Sequence, residues 1–252
     1  MKIAVTGKGG VGKTTLAGTL ARLLARDGLD VLAIDADSDM NLASALGIEI
    51  PPSPLTDHKK FIDERAGGQA GMFILNPKVD DVVERFGITG PDGVRMLVMG
   101  TVEKGGSGCM CPASSFLRAL LKHVVFKESS FVIVDMEAGI EHLGRGTTRG
   151  IDLMIIVVEP GSRSIETASR IKDLAGDIGI VRLAAVINKV RDAEIKEIES
   201  RLDSLGIPLL GSIPYDNSMI TADLNNQSPA EIEGSALEAL KEIKKRLIAG
   251  EY

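Results

Sequence analysis

Short apolar runs alternate with amphipathic stretches along almost the whole chain of 252 residues. Lys2–Thr6 reads as a strand. Residues 13–26 read as a helix, because Leu16, Leu20, Leu23 and Leu24 fall on one face at helical spacing. Asp27-Gly28 ends that helix, and Asp30–Asp35 is the next strand. Further strands are predicted at 95–100, 131–135, 153–158, 183–187 and 207–213, with helices at 112–126, 164–176, 192–204 and 228–248. Several strands are apolar on both faces, which suits a parallel sheet covered by helices on each side. The pattern therefore predicts one α/β domain over 1–252 with a mostly parallel central sheet. Residues 51–92, broken by Pro51-Pro52-Ser53-Pro54 and Ala66-Gly67-Gly68, read as an irregular insertion within it. A short strand at Met72–Leu75 and another short element near 78–85 are expected there.

Composition narrows the function classes. Hydrophobic residues at 44% and charged residues at 25% describe an ordinary globular chain. The net charge is −6, aromatics make up 3% and Trp is absent, so the chain has neither the basic footprint nor the stacking platforms of a nucleic-acid reader. The longest apolar run, Leu153–Val158, is far too short to span a bilayer. The last helix carries Lys241, Lys244, Lys245 and Arg246 but also Glu233, Glu238 and Glu242. It lacks large aromatics, so it reads as a packed surface helix and no membrane partner is expected. A strand-like Met1–Val5 in place of an export signal, with two cysteines, predicts a cytoplasmic location.

Gly7-Lys8-Gly9-Gly10-Val11-Gly12-Lys13-Thr14 fits G-x-x-x-x-G-K-[ST] between a strand and a helix. Glycines let backbone N–H groups turn inward around phosphate oxygens, and the helix N-terminus adds positive potential. Gly9, Gly10, Val11 and Gly12 would line that cradle for ATP or ADP. Lys13 would reach the β- and γ-phosphates, Thr14 would ligate Mg²⁺ and Thr15 would meet the α-phosphate. A bare glycine turn capping a helix is the plainer alternative, and Lys13 and Thr14 in register argue against it. Asp135 ends a run of four apolar residues, the usual place for a carboxylate that holds Mg²⁺ through water. Asn188 directly follows a strand, and its amide can both donate to and accept from an adenine edge.

Lys8, at the second position of the loop, makes the string Lys8–Thr15 resemble the deviant Walker A motif. The family that carries it includes MinD, ParA and the nitrogenase iron protein. The resemblance implies a P-loop ATPase that works as a homodimer, with Lys8 reaching the partner's nucleotide. A cation arriving from outside would stabilise charge on the transferred phosphoryl group. By its spacing from Lys13, Asp37 is similar to the switch I aspartate that orients the attacking water. The string Asp135–Glu141 is similar to switch II, with Glu137 where the family often carries Pro. This implies that Gly139 N–H senses the γ-phosphate, since only a residue without Cβ lets the backbone come so close. Ile213-Pro214-Tyr215-Asp216 resembles the base-side loop, so Pro214, Tyr215 and Asp216 join Asn188 in adenine recognition; for Tyr215, simple surface packing competes.

Both cysteines, Cys109 and Cys111, sit between a glycine-rich stretch and Pro112. Pro112 suits the first position of a helix, which puts Cys111 near the N-cap, where a thiol becomes more acidic and favours the metal-binding thiolate. A small buried hydrophobe, a strained redox pair and coincidence are the alternatives. Two thiolates do not complete a soft site, but a two-fold dimer brings four together. Four thiolates suit Zn²⁺ or an iron–sulfur centre as well as they suit nickel. The combination resembles the CooC-type ATPases of carbon monoxide dehydrogenase maturation, which implies Ni²⁺ as cargo and that enzyme as client. A MinD- or ParA-like positioning ATPase without a metal role is the alternative. An iron–sulfur electron-transfer ATPase fits less well, since no cysteine lies in or after switch II.

Overall fold

The computed structural model describes residues 1–67, 74–100, 112–123, 130–138 and 151–252. In chain order its elements are β1 (Lys2–Gly7), α1 (Lys13–Arg26), β2 (Asp30–Ala36), α2 (Leu42–Leu46), α3 (Lys59–Ala66), α4 (Val82–Phe86), β3 (Ile88–Thr89) and β4 (Arg95–Val98). There follow α5 (Pro112–His123), β5 (Ser130–Met136), β6 (Leu153–Val158), α6 (Ser162–Ile178), β7 (Leu183–Val190), α7 (Asp192–Ser204), β8 (Leu209–Pro214), α8 (Asn217–Leu224) and α9 (Ser235–Ala249). The described strands form one sheet in the order β3-β4-β2-β5-β1-β6-β7-β8. Every pairing is parallel except β3 against β4.

The pleat sends alternate residues of each strand to opposite faces. Ile3 and Val5 join Leu16, Leu20, Leu240 and Ile243 in the core under α1 and α9. Ala4, between them, joins Phe61, Phe116, Leu120, Ile171 and Leu202 in the core on the other face. Strands buried on both faces are thus covered on both sides, as an α/β sheet requires. Because the central strands are parallel, the C-terminal ends of β1, β2, β5, β6, β7 and β8 lie along one edge of the sheet, where ligands bind in such folds.

The segment 51–92 is more regular than expected. Residues 59–66 form α3, whose sequence is mostly charged; Phe61 holds it by edge-on ring contacts with Phe86 and Phe116 at 4.8 and 5.7 Å. The element expected near 78–85 is α4, and β3 adds an antiparallel edge. Ile74 and Leu75 lie in no strand, and the rest of the expected strand at 72–75 falls outside the described residues. The expected helix at 228–248 begins only at Ser235. Residues Pro229–Glu231 make a separate single turn instead. That turn is drawn to α1, where the buried Arg22 guanidinium pairs with Glu231 at 2.6 Å and with Asp92 at 2.7 Å. Ser228 Oγ also donates to Ala45 O at 2.6 Å. α1 and α2 are themselves in close contact, since a Cβ on Gly18 would meet Ala45 Cβ at 2.7 Å.

Candidate functional site

β1 runs into the phosphate loop and the loop into α1. At Gly12 the backbone turns through φ 96°, and a Cβ there would strike Asn188 Nδ2 at 2.3 Å, so glycine is required twice over. Gly12 caps α1 without a side-chain hydrogen bond, and the first turn carries no acid. The first N–H groups of α1 are therefore left for an anion.

Lys13 is 8% exposed, and its Nζ lies 3.5 Å from Asp37 Oδ2. Asp37 is also buried, and its Oδ1 accepts from Asp39 N at 3.1 Å. Asp35 accepts from Leu42 N at 3.0 Å and Asp37 N at 3.2 Å, holding the loop after β2 at both ends. Burial pushes Asp35 up to about 6, with the Asp37 charge adding to it and the two N–H bonds opposing. In the β2–β5 register Asp35 stands beside Asp135. Asp135 is fully buried, and neither carboxylate oxygen completes a hydrogen bond among the described residues. Burial pushes it up to about 7; the charges of Asp35 and Asp37 add to this, while the Thr14 hydroxyl and Lys13 pull the other way. An orphaned buried carboxylate beside Thr14 fits a cation. Among the described residues no group of three or more His, Cys, Asp or Glu could hold a metal ion alone, but Mg²⁺ needs only one or two carboxylates when phosphates supply the rest.

On the far side of the loop, Asn188 Nδ2 donates to Val11 O at 2.7 Å and its Oδ1 accepts from Lys189 N at 2.9 Å. The amide thus braces the phosphate loop, with both ends committed. Lys189 adopts φ 55° and its Nζ donates to Gly10 O at 2.6 Å. Glu159, just past β6, faces two lysines, Lys8 at 3.5 Å and Lys189 at 3.9 Å. A groove of about 300 Å³ beside them is lined by Glu159, Pro160, Lys189, Arg191, Glu194 and Tyr215. Tyr215 is 52% exposed on its rim. Pro214 ends β8, paired in register with Val190.

Asp216 has a second task. Its carboxylate accepts from Ser218 N and Oγ, Ser235 Oγ and Ala236 N, joining the starts of α8 and α9. The Ser218 hydroxyl, then the Ala236 and Ser218 N–H groups, hold it well below the usual carboxylate range. Asp216→Ala is expected to cost about 1–2 kcal/mol of stability in urea unfolding at neutral pH, the range for a lost helix cap. The folded-state value is depressed, so this contribution is complete above the unfolded value of about 3.9 and fades as pH falls below it.

Lys8, Lys13, Thr14, Asp37 and Asp135 thus share one edge of the sheet, with Asn188, Pro214 and Tyr215 flanking the loop. Thr15 lies in the first turn of α1. Cys109, Cys111 and Gly139 lie outside the described residues. Sequence reasoning missed Glu159, Lys189, Asp35 and the contacts of Glu137. Asp35 and Glu159 carry a usable signal, an acid at the C-terminal end of an apolar strand, as at Asp135.

A parallel sheet whose central strand feeds a glycine turn, a lysine and a helix start, opposite strand-end carboxylates, defines a P-loop nucleotide-binding protein. Residues 2–230 match the CobQ/CobB/MinD/ParA nucleotide binding domain, and the chain belongs to that family. It is 47% identical over 234 residues to the carbon monoxide dehydrogenase accessory protein CooC of Rhodospirillum rubrum, covering 88% of this chain and 87% of that one. It is 44% identical to an uncharacterized ATP-binding protein of Methanocaldococcus jannaschii, covering 96% of each. The fold matches MinD of Pyrococcus horikoshii complexed with Mg-ADP at a TM-score of 0.70 and 20% identity, covering 99% of this chain and 96% of that one. No helix among the described residues is long and apolar enough to cross a membrane.

Proposed function

We propose that this protein is a homodimeric, Mg²⁺-dependent ATPase that handles nickel for the maturation of carbon monoxide dehydrogenase. The observation that carries the reading is the Cys109-Met110-Cys111 string in a chain 47% identical to CooC, placed one residue before α5 begins. In sequence the cysteines precede α5, and the next described element is β5, the strand that presents Asp135, so the route between them is short along the chain.

The residues divide the work as follows. The open N–H groups at the start of α1, with Lys13, bind the phosphates. Thr14 and Asp135 would hold Mg²⁺, which when bound neutralises charge on the phosphates. Asp37 orients the attacking water, a positioning role that phosphoryl transfer chiefly demands. Lys8 exchanges Glu159 for the partner's nucleotide, which makes turnover depend on pairing. Gly139 N–H senses the γ-phosphate. The groove at Pro160, Lys189 and Tyr215 receives the nucleoside, beside the loop that Asn188 braces. Two protomers bring four thiolates together as a site for the cargo, Ni²⁺ or Zn²⁺.

Metal titration tests this. Wild type is expected to take up about one Ni²⁺ or Zn²⁺ per two chains, as a site shared on a two-fold axis requires. Cys109→Ser/Cys111→Ser is expected to take up none while binding ATP as before. Equal metal uptake by the double variant would overturn the cargo role and leave a positioning ATPase as the better reading.

A further inference from the structure

Glu137, the first residue past β5, ties the end of that strand to the loop after β2. Its backbone carbonyl accepts from Thr6 Oγ1 at 2.8 Å, which fixes it against the end of β1. Its Oε1 accepts from Ser38 N at 3.1 Å and from Ser38 Oγ. Ser38 directly follows Asp37, whose carboxylate faces Lys13. β2 and β5 are neighbours in the sheet with their ends side by side, and Glu137, just past β5, reaches the loop after β2 through its side chain. In sequence, Glu137 is the residue that departs from the pattern the chain otherwise resembles; in the structure that departure accepts from both donors of Ser38.

We infer that Glu137 is a positioning residue: its bond to Ser38 yokes the loop carrying Asp37 to the end of β5, so that Asp37 and Asp135 take up the phosphate site as one body. The inference rests on the reading of the site as an ATPase. The bonds described for Glu137 go to Thr6 and Ser38, so its loss is expected to leave nucleotide binding in place. What it loses is the placement of Asp37, and small misplacements of a positioning group are expensive in rate.

The test uses the full chain with ATP and Mg²⁺. Glu137→Ala is expected to lower kcat about 10-fold with KM for ATP within about two-fold, the signature of an interaction that matters beyond binding. Glu137→Gln keeps an oxygen that can accept both Ser38 donors and is expected to stay within about three-fold of wild type. Ser38→Ala/Glu137→Ala is expected to be no slower than Glu137→Ala alone, because both remove one interaction. Hydrogen exchange of the amides at 38–41 is expected to quicken in Glu137→Ala and not in Glu137→Gln. This last readout needs no hydrolysis, so a wild type that binds ATP without turnover would sink the ATPase reading while still reporting the tie. Unchanged exchange in Glu137→Ala, a Gln variant as slow as the Ala variant, a KM that rises as far as kcat falls, or multiplying effects of the two sites would each overturn the inference.

Discussion

Asp37→Asn is expected to hydrolyse ATP about 10²- to 10³-fold more slowly than wild type, the range for losing one preorganised group from a reacting centre, while holding nucleotide at least as tightly. The two effects separate because Asp37 has two relations. Its Oδ2 lies 3.5 Å from Lys13 Nζ with both side chains nearly buried, so in the ligand-free chain the carboxylate competes with phosphate for that lysine. An amide withdraws the competing charge and the repulsion of the incoming triphosphate. It can still accept from Asp39 N, which keeps the loop in shape. What the amide cannot do is draw a proton-bearing water as an anion does. The ligand-free variant is also expected to be less stable, since Lys13 is left without its counter-ion until phosphates arrive. Single-turnover hydrolysis and equilibrium titration with a non-hydrolysable analogue measure the two halves; loss of both together would show that Asp37 serves binding alone.

Asp135→Asn is expected to stabilise the ligand-free, Mg²⁺-free protein at pH 8 by on the order of 2–4 kcal/mol, and to leave it unchanged below about pH 4. Asp135 is fully buried, with the nearby Thr14 hydroxyl and Lys13 offsetting little of the cost, and burial raises it to about 7. An acid whose folded value lies above its unfolded one binds a proton more readily when folded. Its ionisation therefore withdraws stability as pH rises from about 4 to about 7, after which the loss is constant. The asparagine variant escapes that loss, and the gap between the two proteins opens across the same interval. With Mg²⁺ and nucleotide the order should reverse: wild type gains stability through ligation and the variant gains little. Urea unfolding at pH 5 and pH 8, with and without Mg-ADP, checks both statements. A pH-independent gap would mean that Asp135 ionises in the folded chain as readily as in the unfolded one, and equal gains from Mg-ADP would remove it from the cation site.

Strong periodicity made most of the sheet and its covering helices legible. Residues 13–26, 153–158 and 192–204 coincide with α1, β6 and α7. What periodicity could not show is held by partners distant in sequence. α3 is mostly charged and is fixed by Phe61 against Phe86 and Phe116. α8 depends on the Asp216 cap, and β3 is two residues long. The same division runs through the site. The phosphate loop is local, so its residues read directly. The contacts of Lys189 with Gly10, of Glu159 with Lys8 and of Glu137 with Ser38 cross 179, 151 and 99 residues, and no local pattern encodes them. Asn188 shows the intermediate case: its position after a strand marked it, but only its two hydrogen bonds reveal a brace on the phosphate loop.

Gly18 sets how much of the chain can answer a ligand. Without a side chain there, α2 sits against α1, with the Ala45 backbone 3.1 Å from where a Cβ would be. The far end of the segment after β2 is therefore moored to the very helix that begins at Lys13, and its near end to the sheet at Asp35. Between those moorings lie only residues 37–41, and Asp37 and Ser38 among them are tied in turn to Asp35, Lys13 and Glu137. A stretch so short cannot swing as a lid; it can only tighten or ease in place, so any signal that leaves the site by this route is a change of tension and not of position.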